Sequence, residues 1–257
     1  MVNKHYPLET RGLSVTFNAG GENEVVAFSD ITFTLKADEI LAIVGPSGCG
    51  KSTLFNVIAG LQPATVGEVF VNGTRVLDAK GQVGYMLQKD MLLPWRSVRE
   101  NVGLGLEIKG VPKEERNAVA DRLIAAYGLK GFENSKPGTL SGGMRQRVAF
   151  MRTLALDPDV ILLDEPFSAL DFQTRILLQG EVMDIIGKQR KSAILVTHDI
   201  GEAITMADRV MILSRRPGRV KQIVSIDLDR DERDPVKLRS NTRYQEYFQL
   251  LWSELDI

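Results

Sequence analysis

Apolar positions along this chain fall into distinct patterns. Unbroken runs at Ile40–Val44, 160–163 and 193–196 predict strands buried on both faces, the mark of a parallel sheet. Residues 11–35 instead alternate apolar and polar around Gly20-Gly21, which predicts an antiparallel hairpin or small sheet. Short β runs over 67–88 turn at Asn72-Gly73, and 209–213 and 219–228 return to strand patterning. Residues 54–59 read as a helix. Val119, Leu123, Ala126 and Tyr127 recur at helical spacing, with Pro112 where a helix would start. Met144, Val148, Met151 and Ala155 share another helical face behind Ser141, a suitable N-cap. The end, 235–257, also reads as helical. The patterns predict an α/β protein with a mostly parallel sheet, an N-terminal antiparallel β subdomain and an α-helical insertion. We expect one domain over 1–257, with its core about 1–88 and 157–257 and the helical subdomain about 89–156.

Composition narrows the class. The chain has 257 residues, 44% hydrophobic and 25% charged, with a net charge of −1, enough to bury a large core. That charge balance argues against a nucleic-acid partner held by bulk basic charge. The single cysteine excludes an internal disulfide and a cysteine-rich metal site. Residues 1–7 contain no apolar stretch like a signal peptide, and no run approaches the ~18 apolar residues needed to span a bilayer. The expectation is a cytoplasmic protein that meets a membrane only through a partner. The charged stretches around Arg215-Arg216 with Arg219, and over 229–234, read as solvated turns.

The strongest chemistry lies in Gly45-Pro46-Ser47-Gly48-Cys49-Gly50-Lys51-Ser52-Thr53. This G-x-x-x-x-G-K-S loop follows a buried strand and opens a helix, the context that a phosphate-binding loop requires. Its glycines let backbone N–H groups curl around a polyphosphate, and the helix N-terminus adds partial positive charge. Lys51 suits the β- and γ-phosphates of a nucleoside triphosphate such as ATP, and the Ser52 hydroxyl suits Mg²⁺. The run at 160–163 ends in Asp164-Glu165. A carboxylate there can hold the same Mg²⁺ through water, and the next can serve as general base toward an attacking water. Cys49, just ahead of the helix N-terminus, is placed to favour the thiolate; the alternative is a small, packed loop residue.

Between these two halves lies Leu140-Ser141-Gly142-Gly143-Met144-Arg145-Gln146-Arg147. With this run the chain resembles the nucleotide-binding subunits of ABC transporters, whose signature is L-S-G-G-x-R-Q-R. The resemblance extends from about residue 11 to 230 and implies a P-loop NTPase core whose helical insertion carries the signature. It implies that Ser141, Gly142 and Gly143 face the γ-phosphate bound by a second copy in a head-to-tail dimer, so that two ATP molecules are buried between subunits. Gln88, after the strand-like 83–87, matches the family's Q-loop and would sense Mg²⁺ and the water. Asp171, in Ser168-Ala169-Leu170-Asp171, matches the D-loop at the dimer interface. His198 matches the switch histidine at the γ-phosphate. Phe17 is the best match to the aromatic that stacks on adenine, with Phe28 and Phe33 as core residues instead.

The run Met91-Leu92-Leu93-Pro94-Trp95-Arg96-Ser97-Val98, continuing to Asn101-Val102, is similar to the branch that imports nitrate, sulfonates, taurine and bicarbonate. This similarity implies integral membrane permease subunits as partners and, indirectly, an extracytoplasmic solute-binding protein. The protein would then lie at the cytoplasmic face of the membrane. Trp95 is either an anchor in the groove that receives a permease helix or a core aromatic. An ABC-type ATPase acting on macromolecules, or an exporter ATPase, is the alternative; those forms usually carry tandem cassettes, a long coiled-coil insertion or fused membrane spans.

Overall fold

Every residue of β3 (Ile40–Val44), β7 (Val160–Asp164) and β8 (Ser192–Val196) is buried. These strands run parallel at the centre of a six-stranded sheet in a computed structural model that describes residues 6–78, 81–229 and 233–255. The sheet is completed by β6 (Gly84–Met86), β9 (Arg209–Leu213) and β10 (Val220–Ser225), in the order β10-β9-β3-β8-β7-β6. Only β10 is antiparallel to its neighbour. Side chains alternate across a strand, so each one feeds two cores. Ile40, Ala42 and Val44 join the core shared with the helices, whereas Leu41 and Ile43 face the core that also contains Leu54, Phe55 and Ile58. That double burial is why these strands read as continuous apolar runs.

The second core is closed by a four-stranded antiparallel sheet. It consists of β1 (Leu8–Phe17), β2 (Val25–Leu35), β4 (Val66–Val71) and β5 (Thr74–Arg75), ordered β2-β1-β4-β5. Helix α1 (Lys51–Ile58) shares this core with both sheets. Phe28 and Phe33 are buried in it, as expected. The turn at Asn72-Gly73 joins β4 to β5, and Asn72 takes a positive φ of 49°.

The helical stretch holds α2 (Val98–Val102), α3 (Leu104–Ile108), α4 (Lys113–Ala126) and α5 (Gly142–Leu154). Pro112 is the N-cap of α4, and Ser141 caps α5 by accepting from the Met144 backbone N–H at 3.3 Å. Val98, Ile124, Val148 and Met151 join one continuous core with Leu163 of the sheet. Two helices lie outside the patterns read from the sequence: α6 (Phe172–Lys188), linking β7 to β8, and α7 (Ile200–Met206), linking β8 to β9. Parallel neighbours require such crossovers. The C-terminal region forms a 3₁₀ turn at Lys237–Ser240 and α8 (Thr242–Glu254), which packs on α7. Part of the charged stretch 229–234 lies outside the described residues.

Candidate active site

Loops leaving the carboxyl ends of four adjacent strands converge on one edge of the sheet, where ligands bind in folds of this layout. After β3 comes the phosphate loop. Gly50 is crowded there, with φ at +100° and a hypothetical Cβ only 3.1 Å from the Ala27 carbonyl oxygen and the Phe28 ring. A side chain there would be both strained and crowded. Lys51 is largely buried, and its Nζ donates to the carbonyls of Gly45 at 2.7 Å and Pro46 at 3.0 Å. Ser47, Gly48 and Ser52 face outward, and Thr53 is half-buried.

Cys49 corrects the thiolate expectation. Its side chain is 1% exposed, and burial pushes the thiol up, outweighing the nearby Lys51 charge. It lies in the apolar core beneath the loop, so the packed alternative holds.

Asp164 ends β7. Burial is the main effect raising its carboxyl, and hydrogen bonds from Ser52 and from Tyr85 Oη at 3.4 Å act against it. Tyr85 was not singled out in the sequence. Its phenol is pushed up by burial and by Asp164, and it packs edge-on against Phe55 of α1. No three His, Cys, Asp or Glu side chains cluster to cage a metal among the described residues. The Asp164 carboxylate and Ser52 hydroxyl are nevertheless a hard-oxygen pair, and Mg²⁺ characteristically combines one or two carboxylates with phosphates and water.

Glu165, the next residue, takes a positive φ of 44° and is pinned by its N–H donating to Val196 O at 2.9 Å. Such a conformation persists in a non-glycine residue only where the surroundings enforce it. Its Oε2 receives two side chains from other loops: Gln88 Nε2 at 3.0 Å, after β6, and His198 Nδ1 at 3.3 Å, after β8. The imidazole is otherwise open, with 64% of its side chain exposed. Arg215 and Arg216 do more than decorate a solvated turn, since they line an open cleft with residues 45–47 and His198.

The remaining expected residues lie apart from that cluster. Phe17 ends β1, pairs with Val25 and leaves its ring 40% exposed; three residues along β2, Phe28 touches the phosphate loop. Ser141 and Gly142 sit at the start of α5. Gly143 lies so close to α6 that an added Cβ would come within 2.6 Å of Thr174 Cγ2. Asp171 caps α6, accepting from the Thr174 N–H at 3.0 Å, which holds its carboxyl below the usual range.

The ABC transporter family matches residues 28–168. The chain belongs to that family. It is one of the family's ATPase subunits, and the ABC cassette fold accounts for the two sheets and the helical insertion. It is 48% identical to an uncharacterised ABC transporter ATP-binding protein of Methanocaldococcus jannaschii, over 87% of this chain and 83% of that one. It is 39% identical to a taurine import ATP-binding protein of Roseobacter denitrificans, covering 95% and 94%. It is 43% identical to an aliphatic sulfonates import ATP-binding protein of Burkholderia cenocepacia, covering 86% and 81%. Among solved structures, a dimeric ATP-binding cassette bound to ADP and Pi superposes with a TM-score of 0.75 at 31% identity, covering 86% of this chain and all of that one.

Proposed function

We propose that this ABC ATPase energises an importer of a small solute in the taurine and sulfonate class, working as two copies on the cytoplasmic face of a membrane. The observation that carries the catalytic reading is the meeting of Gln88 and His198 on Glu165 Oε2, beside the phosphate loop. Lys51 would exchange its loop carbonyls for the β- and γ-phosphates of ATP. Gly45, Pro46, Ser47, Gly48, Cys49, Gly50 and Thr53 would present backbone N–H groups or shape the loop around them. Glu165 would take a proton from water as that water attacks the γ-phosphorus, and the bond to the bridging oxygen breaks to leave ADP and phosphate. Gln88 would orient that water, and His198 would sit at the γ-phosphate. Ser52, Asp164 and Gln88 would hold Mg²⁺, which neutralises charge on the phosphates when bound. Phe17 presents an open ring face on which adenine would stack.

The dimeric relative supports a second copy as partner. In that arrangement Ser141, Gly142 and Gly143 would close on the partner's nucleotide, with Asp171 at the interface. No described helix is long and apolar enough to cross a membrane; the importer-ATPase relatives support permease subunits as partners, which an extracytoplasmic solute-binding protein would feed. The names of the taurine and sulfonate relatives support the solute class.

Glu165→Gln tests the catalytic reading. Turnover should fall a hundredfold or more, in the range typical of a lost general base. ATP binding should remain and gel filtration with ATP should show a dimer. Turnover within a few-fold of the parent would remove Glu165 from the role. A companion assay of the complex with its permease, supplied with taurine-loaded receptor, should show stimulated hydrolysis; indifference to sulfonates would reject the solute class.

A further inference from the structure

A second polar cluster lies behind His198, and none of it contributes to the proposed chemistry. Arg175, in the first turn of α6, spans two loops. Its Nη2 donates to Leu170 O at 3.3 Å and its Nη1 to Asp199 Oδ2 at 3.4 Å. Asp199 follows His198 directly and caps α7, its Oδ1 accepting from the Glu202 N–H at 3.1 Å. Thr197, on the other side of His198, donates its hydroxyl to Glu202 Oε2 at 2.9 Å and accepts from the Asp199 N–H at 3.0 Å. The two neighbours of the histidine are therefore held one each, Asp199 by the Arg175 guanidinium and Thr197 by the Glu202 carboxyl.

Two further observations show that the cluster is poised rather than saturated. Arg175 Nε and Glu202 Oε1 are buried without a hydrogen-bond partner among the described residues. Both residues, with Asp199, line one cavity of about 60 Å³, to which Pro235 and Tyr244 of the C-terminal segment also contribute. A buried polar atom without a partner costs enough free energy that such pairs normally face water or alternate arrangements. The cavity gives the guanidinium room to turn from Asp199 toward Glu202.

We propose that Arg175 and Glu202 are positioning residues that tie the His198 loop to the loop at 168–171, so that the placement of one sets the engagement of the other. The proposal rests on the catalytic reading of His198 above. The histidine ring is mostly exposed, with Glu165 as its polar partner, so its placement depends on its backbone neighbours. One of them, Asp199, is tied to Arg175, whose other anchor is the Leu170 carbonyl. A shift of the 168–171 loop therefore pulls on Asp199 and re-aims His198.

Protonation should bias the same device. Burial pushes Glu202 up to about 8, with Asp199 and Glu165 adding to the rise while Thr197 and Arg175 oppose it. Tyr244 Oη, from α8, lies against Gly201 on the remaining side. Below that value Glu202 is neutral and leaves Arg175 to Asp199. Above it, Glu202 carries a charge within the cavity and competes for the guanidinium.

The test uses the full-length chain. Arg175→Gln should retain affinity for a fluorescent ATP analogue within about twofold and lose tenfold or more in turnover. The decisive comparison is with His198→Ala: the double variant Arg175→Gln/His198→Ala should be no slower than His198→Ala alone, because both act at one step. Multiplying losses would overturn the proposal, as would parental turnover in Arg175→Gln. If thermal melting shows that Arg175→Gln does not fold, Arg175→Lys enters the same cycle. The parent should lose turnover between pH 7.5 and 9 relative to Glu202→Gln; superimposable profiles would remove Glu202 from the device. A normal loss in Glu165→Gln alongside a parental Arg175→Gln would defeat this proposal alone, whereas a parental Glu165→Gln would defeat the catalytic reading itself.

Discussion

Cys49 shows how far one position can mislead when read by its neighbours in the chain. A cysteine ahead of a helix N-terminus suggests a reactive thiolate, yet the side chain points into the apolar layer beneath the loop. Desolvation disfavours the charged form, and here it exceeds the attraction of Lys51. Maleimide should therefore label Cys49 in the native protein at least tenfold more slowly than in denaturant. Mass spectrometry over time checks this, and equal rates would show that the loop opens far more than its packing implies. Glu165 errs in the other direction. Its acidity and spacing were legible, but its positive φ and its hydrogen bond to Val196 were not. They depend on β8 lying beside β7.

Among elements, the contact of α5 with α6 carries the clearest constraint. Gly143 faces Thr174 where no Cβ fits without a shift. Gly143→Ala should therefore destabilise the chain by about 1–3 kcal/mol through overpacking, despite alanine's better helix propensity. Adding Thr174→Ser, which removes the crowded methyl, should recover most of that loss in a thermal melt. No recovery would mean that the glycine serves a purpose other than spacing. A second route to the same glycine is its place in the signature, where backbone approach to phosphate also excludes a side chain; the double variant separates the two, since it restores packing and not that approach. The patterns read from the sequence do not include α6 and α7, although Leu178, Val182 and Ile186 recur at helical spacing on the buried face of α6; α7 is only seven residues long, too short to show a period. Their start signals were nonetheless present: Asp171 and Asp199 each accept from the N–H three residues on.

For the molecule as a whole, exposure separates surface from core where periodicity could not. Trp95 is 70% exposed, with Met91 also open on the segment after Gln88 and Leu87 just before it. It is not a core aromatic. A large exposed side chain costs the fold little when removed, while an interface anchor of this kind is typically worth about 2 kcal/mol or more in binding. Trp95→Ala should keep its melting temperature within about 2 °C and its soluble ATPase rate. It should lose assembly with the permease and solute uptake in reconstituted vesicles. Normal uptake by the folded variant would place the coupling groove elsewhere.

The chain order by itself determined the phosphate loop, the acidic pair, the signature and the buried parallel strands. Each is local: glycine spacing, a strand's double-sided burial and a helix start are written within ten residues or so. The β1–β2 hairpin was legible for the same reason, with alternation marking its one buried face. What only the tertiary structure decided are the pairings between distant segments. Gln88 meets Glu165 across 77 positions, and Arg175 reaches Asp199 across 24. No periodicity encodes such meetings. They follow from the order β3-β8-β7-β6, which brings four strand ends to one edge, and from burial, which charges or neutralises the groups gathered there according to how much water the assembled layers exclude.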